Sequence, residues 1–256
     1  DQNINGLKII DVPLNFSNPF KVTHKNSSEY IRKSLNLGHK LSNDKKFKGL
    51  INCPINKGLI HKSKKTGVTE YLASKCRIKD RSELMLIYNK KLSVAPVTTH
   101  IDIKKVSKKI TSKLIIKKML TLNTQFKKLF KKKPKICLLG LNPHNSELLD
   151  GSEEVKKIKP SVLFLKKKRL VIEGPFAADS IFIDNYKNYD VVVGMYHDQV
   201  LAPFKSMFKY DAINLTLGLD YIRVSPDHGT ATDIIGENKS NFTSLLQCIK
   251  FINNLK

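Results

Sequence analysis

Short runs rich in β-branched residues alternate along this chain with lysine-rich stretches whose apolar residues recur at helical spacing. That alternation constrains the fold to the α/β class. Residues 47–55 (FKGLINCPI) read as a strand running into a proline-containing turn, and residues 82–100 as two apolar runs flanking a turn at Asn89-Lys90-Lys91. Residues 133–144 (KPKICLLGLNPH) form a buried-type strand with Gly140 and Pro143 at its end. The pattern recurs in RLVIEGPF, DVVVGMYHDQ, DAINLTLG and YIRVSPDHG, each a strand followed by a loop. Between them, 103–130 has helical periodicity interrupted by polar Thr121 to Thr124, which allows one helix or two. The stretch 151–168 is predicted helical, with Ser152 as its cap before two acidic residues, and 241–255 closes the chain as a helix. At 256 residues and 41% hydrophobic content, one large domain or two packed ones can bury a core.

The formal charge of +24 raises the question of nucleic acid. Only five of the 46 basic residues are arginine (Arg32, Arg77, Arg81, Arg169, Arg223), the usual bidentate reader of phosphate and guanine. The lysines are spread along the chain, and the clusters at 127–135 and 166–168 read as exposed helix ends and loops. A solvated lysine surface that attracts anionic substrates and cofactors is therefore expected, with no specific nucleic-acid partner. Cys53, Cys76, Cys137 and Cys248 lack C-x-x-C spacing, which fits reduced thiols in the cytoplasm; Cys53 and Cys137 lie in apolar runs and are expected buried. No stretch approaches the length of a membrane helix, and no signal peptide is visible. The chain opens without methionine, so a preceding segment is expected.

The seven histidines fall into two groups. His24, His39 and His61 lie in polar surroundings and read as exposed. His100, His144, His197 and His228 each follow an apolar run and a sharp turn, which places them at C-terminal strand tips, the edge where open α/β sheets bind ligands. Neutral imidazole is a common metal ligand, and three would leave an open coordination position for substrate. Spacing alone does not choose three from the four.

The segments PINKGLI, GVTEYLA, APVTTH, LGLNPHNSE, EGPFAADSIF, MYHDQ, NLTLGLDYIR and SPDHGTATDIIG occur here in this order. From about Leu50 onward the chain resembles the 4-hydroxythreonine-4-phosphate dehydrogenases of vitamin B6 biosynthesis. The resemblance implies two α/β/α subdomains with a cleft between them, as in isocitrate and isopropylmalate dehydrogenases. Residues 1–60 with 230–256 would form the first, and 61–229 the second, carrying the metal and substrate site. It implies His100, His144 and His197 as ligands of one divalent cation (zinc, magnesium, manganese or cobalt), in a site completed near a homodimer interface. Thr69, Lys205, Asn214 and Arg223 match positions that hold a small phosphorylated substrate. His228, Gly229, Thr230 and Asp233 match the loop approaching NAD or NADP, which accounts for the lack of a G-x-G-x-x-G turn. Asp179 and Asp198, flanking the histidine motifs, are expected to orient ligands or move protons beside Lys205.

The implied reaction is oxidation of 4-phosphohydroxy-L-threonine to 2-amino-3-oxo-4-phosphooxybutanoate, which decarboxylates to 3-amino-2-oxopropyl phosphate. The alternatives are a sister dehydrogenase of threonate or erythronate 4-phosphate, and an inactive anion-binding paralogue. Two departures stand out. Val68 occupies a position where the family has histidine, and the family's N-terminal strand with its Gly/Pro-rich loop lies before Asp1.

Overall fold

Capping and periodicity set the element boundaries. The computed structural model describes residues 2–4, 6–60, 67–78 and 82–255. A hairpin of β1 (Gln2–Ile4) and β2 (Leu7–Ile9) precedes α1 (His24–Ser42), whose Thr23 side chain accepts from the Asn26 amide at 3.3 Å. Then come β3 (Leu50–Ile51), α2 (Val68–Lys75), β4 (Leu84–Tyr88) and β5 (Ser93–Pro96). The 103–130 stretch contains α3 (Val106–Lys109) and α4 (Ser112–Phe130). The break falls at Ile110, not at the polar residues 121–124. Thr111 caps α4 by accepting from the Leu114 amide at 3.1 Å, and Leu122 and Phe126 carry the apolar face through the polar patch into the core.

After β6 (Lys135–Leu139), Ser152 accepts from the Val155 amide at 3.3 Å, and a wide turn at Glu154–Ile158 leads into α5 (Lys159–Lys167). The remaining elements are β7 (Val171–Phe176), α6 (Ala178–Ile181), β8 (Val191–Gly194), α7 (His197–Phe208), β9 (Ile213–Leu217), β10 (Arg223–Pro226) and α8 (Thr243–Asn253).

Eight strands make one mixed sheet in the order β3-β10-β9-β4-β5-β8-β6-β7. β5, β8, β6 and β7 run parallel, whereas β5-β4, β4-β9 and β9-β10 are antiparallel pairs. The sheet joins the two stretches expected as subdomains, because β3 pairs with β10 and α8 packs on β9 and β10.

Alternation along the strands sorts side chains to two faces. One face, with Leu84, Leu86, Ala95, Leu138, Val193, Leu215 and Val224, is covered by α4, α5 and α8 through Ile115, Met119, Leu122, Val162 and Cys248. The other, with Ile87, Val94, Cys137 and Val192, is covered by α7 and α6 through Val200, Leu201, Phe204 and Ile181. Among the described residues no helix is long and apolar enough to cross a membrane.

Two sequence expectations need correction. Cys53 is exposed, because β3 ends at Ile51 and leaves it in the turn; Cys137, in the middle of β6, is buried as expected. His39 is half-buried, its Nδ1 3.1 Å from the Tyr221 hydroxyl, so the polar local sequence concealed a tertiary partner. His24 is exposed, as expected; His61 and Arg81 lie outside the described residues.

Candidate active site

The second sheet face changes character where α7 ends its cover. Beneath α7 it is apolar; beyond, on β9 and β10, the same face carries Asn214, Thr216, Arg223 and Ser225. Thr216 pairs in register with Arg223, and Asn214 with Ser225, so the four form a polar floor two residues deep on each strand. Asn214, Arg223 and Ser225 of that floor line a cleft of about 350 Å³ walled by Val68, Thr69 and Glu70 of α2, Leu201 and Lys205 of α7, His100, His197, Asp227 and His228.

Arg223 dominates the cleft's electrostatics. It is 3% exposed, its Nε donates to Asn52 Oδ1 at 2.7 Å, and its Nη1 donates to Thr216 Oγ1 at 3.0 Å. Burial pulls the guanidinium down to about 10, and among the described residues no carboxylate stands at ion-pair distance from it. Buried charges are normally paired, so this one is poised for an anion. Asn214 Oδ1 is buried with no hydrogen-bond partner among the described residues. Thr69 Oγ1 lies 3.4 Å from Thr216 Oγ1. Lys205 Nζ donates to the Asp227 carbonyl at 2.7 Å and sits 3.0 Å from its Oδ2. Burial raises the Asp227 carboxyl, with Lys205 opposing.

The histidines divide differently from the sequence expectation. β5, β6 and β8 are parallel, so His100, His144 and His197 do share one sheet edge. His228 does not, because three antiparallel steps reverse β10 and put its C-terminal tip at the opposite end of the cleft. His100 and His197 face each other with ring centroids 5.7 Å apart. Glu70 lies 4.0 Å from His100 Nδ1 while its other oxygen caps α2 by accepting from the Gly67 amide at 2.9 Å. Asp198, exposed in the first turn of α7, lies 2.7 Å from His197 Nδ1.

His144 stands apart. It is 69% exposed, belongs to a left-handed turn running to Leu148, and points its Nε2 at Asp179 Oδ2, 3.6 Å away. Among the described residues no three His, Cys, Asp or Glu side chains gather closely enough to hold a metal ion, so a single copy of the chain brings together two of the three expected ligands.

Of the expected cofactor loop, His228 and Gly229 reach the cleft, and Thr230 and Asp233 extend beyond it on an exposed loop. Sequence reasoning missed Asn52, Thr216, Ser225, Glu70 and Asp227. Thr216 and Ser225 had a readable signal: polar residues at every second position of NLTL and RVSP mark one strand face as wet.

These features define an α/β protein with a polar, cation-bearing cleft on one sheet face beside strand-end imidazoles. The chain belongs to the family of the pyridoxal phosphate biosynthetic protein PdxA, whose model matches residues 1–252. It is 39% identical to a 4-hydroxythreonine-4-phosphate dehydrogenase from a Sulfurihydrogenibium species over 254 residues, covering 98% of this chain and 77% of that protein. It is 41% identical to the enzyme of that name from Aquifex aeolicus over 210 residues, 81% of this chain and 65% of the relative. The 4-hydroxythreonine-4-phosphate dehydrogenase structure from Klebsiella pneumoniae superposes with a TM-score of 0.77 at 30% identity, covering 95% of this chain and 76% of that one.

Proposed function

We propose that this chain is an NAD- or NADP-dependent dehydrogenase that oxidises 4-phosphohydroxy-L-threonine at its secondary hydroxyl, with product decarboxylation to 3-amino-2-oxopropyl phosphate. The observation that carries the reading is Arg223: a buried guanidinium without a carboxylate partner among the described residues, beside the unsatisfied Asn214 oxygen. Arg223, Lys205, Asn214 and Thr69 bind the two anionic ends of the substrate and aim its hydroxyl at His100 and His197. Charge-assisted contacts of this kind are each worth about 1.5–3 kcal/mol. Lys205, held by Asp227, is both clamp and proton carrier at the cleft wall.

His100 and His197 fit a divalent cation as adjacent neutral nitrogen donors. His144 of a second copy completes the set in a homodimer. Its own exposure, and that of Leu148, Leu149, Ile101 and Ile103 around the histidines, favours burial against another molecule. A cation held there would supply Lewis-acid activation of the substrate hydroxyl, and a bound nicotinamide would supply the hydride acceptor. Asp198 fixes the His197 ring and Asp179 the His144 ring. His228, Gly229, Thr230 and Asp233 approach the adenosine side of the dinucleotide.

The test is NAD(P) reduction with 4-phosphohydroxythreonine beside threonate and erythronate 4-phosphates, with metal added and then chelated. Metal-dependent turnover preferring 4-phosphohydroxythreonine is expected. Preference for a sugar acid would move the chain to the sister activity, and no turnover with any of them would leave an anion-binding protein.

A further inference from the structure

The turn that presents His144 is costly. His144, Asn145, Ser146, Glu147 and Leu148 all have φ between 48° and 57°, five consecutive non-glycine residues in the left-handed region. L side chains disfavour this region, and the conformation persists only where its surroundings over-determine it. Two side chains grip the base of this turn, neither assigned above to substrate, cofactor or metal.

Glu154 is fully buried. Its Oε1 accepts from the Leu141 and Asn142 amides, both at 2.8 Å, and its Oε2 from Asn142 Nδ2 at 3.0 Å. Gly140 makes the approach possible: a Cβ there would stand 3.1 Å from Glu154 Oε1 and would collide with Asn145 Oδ1. Gln199 holds the other side. Its Nε2 donates to the Gly140 carbonyl at 2.8 Å and its Oε1 accepts from the Met195 amide at 2.7 Å. One amide thus joins the end of β6 to the end of β8, which leads to His197. Thr98 extends the stitch to the His100 strand, its Oγ1 donating to the Met195 carbonyl at 2.7 Å.

We propose that Gln199 and Glu154 are positioning residues for His144: they clamp the 140–142 segment from two sides and so set where the left-handed turn delivers its imidazole. The proposal rests on the reading above that the three histidines hold one cation, with His144 serving the neighbouring copy. Its logic is geometric. A hydrogen-bonded partner behind a metal ligand typically changes metal affinity by about 10–100-fold, and here the partners act on the ligand's backbone.

The test is titration of the full-length, metal-free protein with Co(II), followed by the visible absorbance of the bound ion. It is run beside inorganic phosphate binding and thermal melting. His144→Ala sets the baseline. Gln199→Leu and Glu154→Ala are expected to weaken Co(II) binding about 10–100-fold and to change the absorbance band. Phosphate binding on the Arg223 floor should stay near wild type, whereas the melting temperature should fall, because both substitutions leave buried backbone groups unpaired. Glu154→Gln keeps an oxygen for the two backbone amides and should recover most of the affinity; it also serves if Glu154→Ala fails to fold. Wild-type Co(II) affinity and spectrum in Gln199→Leu would overturn the proposal, as would parallel losses of cobalt and phosphate binding, which mark a general packing role. If His144→Ala itself binds Co(II) like wild type, the three-histidine reading fails, and that result is separate from any behaviour of Gln199 or Glu154.

Discussion

Two halves of one sheet face make opposite use of the same strand geometry. Under α7, Ile87, Val94 and Val192 meet Val200, Leu201 and Phe204 and exclude water. On the neighbouring strands β9 and β10, the alternate positions hold Asn214, Thr216, Arg223 and Ser225 beside a cleft walled by α2 and α7. The first half gains stability by burying apolar area, at about 25 cal/mol per Å². The second forgoes that gain and leaves the Arg223 cation open to an anion and the Asn214 amide oxygen open to a hydrogen-bond donor. Stability and function are therefore written on adjacent strands of one surface, and substitutions should separate them.

The largest separation is expected at Phe204. Replacing this fully buried ring by alanine should cost about 3–5 kcal/mol of unfolding free energy, read by denaturant titration. A cost below about 1 kcal/mol would mean that α7 is not the anchor of the dry half. On the wet half, Arg223→Met and Lys205→Ala should each lower kcat/KM by the equivalent of about 1.5–3 kcal/mol. The unfolding midpoint of Arg223→Met should hold or rise, because an uncompensated buried charge is removed. Normal catalytic efficiency in either variant would remove that residue from the substrate clamp.

At the wall of the wet half, Val68 stands half-buried at the position where the sequence resemblance leads one to expect histidine. Val68→His should lower KM for the phosphorylated substrate by at most about tenfold, one contact of about 1.4 kcal/mol. An unchanged or higher KM would show a different local arrangement. Lys62, Lys64 and Lys65, the nearest sequence candidates for replacing the lost contact, lie outside the described residues. The smallest effect is at Glu154. Burial pushes its carboxyl up, but the amides of Asn142 and Leu141 and the Asn142 side chain more than reverse this, so it sits below the ordinary value of 4.5. A lowered folded pKa stabilises the fold above pH 4.5, and that contribution is lost as pH falls through the folded value. Unfolding free energy measured from pH 7 down to 3 should fall less steeply in Glu154→Gln than in wild type; identical slopes would contradict the assignment.

The dry half was legible in the sequence and the wet half only in part, for physical reasons. Val191 to Val193 and Ile136 to Leu139 announce buried strands because every position is apolar, and the hairpin at Asn89 to Lys91 follows from turn chemistry. Strand direction is not local information. The tip of β10 looks like the tips of β5, β6 and β8 in sequence, and only the antiparallel pairing through β4 and β9 sends His228 to the opposite end of the cleft. Glu154 and Gln199 look like ordinary helix residues, since their partners sit 12 and 59 positions away. The Asn52–Arg223 bond spans 171 positions, beyond the reach of any pattern.

The proposed substrate floor is the wet half of this sheet face. The most direct measurement is a crystal structure of the full-length protein with 4-phosphohydroxythreonine and a divalent cation. The expected electron density places an anionic group against Arg223, Asn214 and Lys205, with the secondary hydroxyl toward His100 and His197. Ligand density lodged among the surface lysines, with the Arg223 floor holding only water, would contradict it.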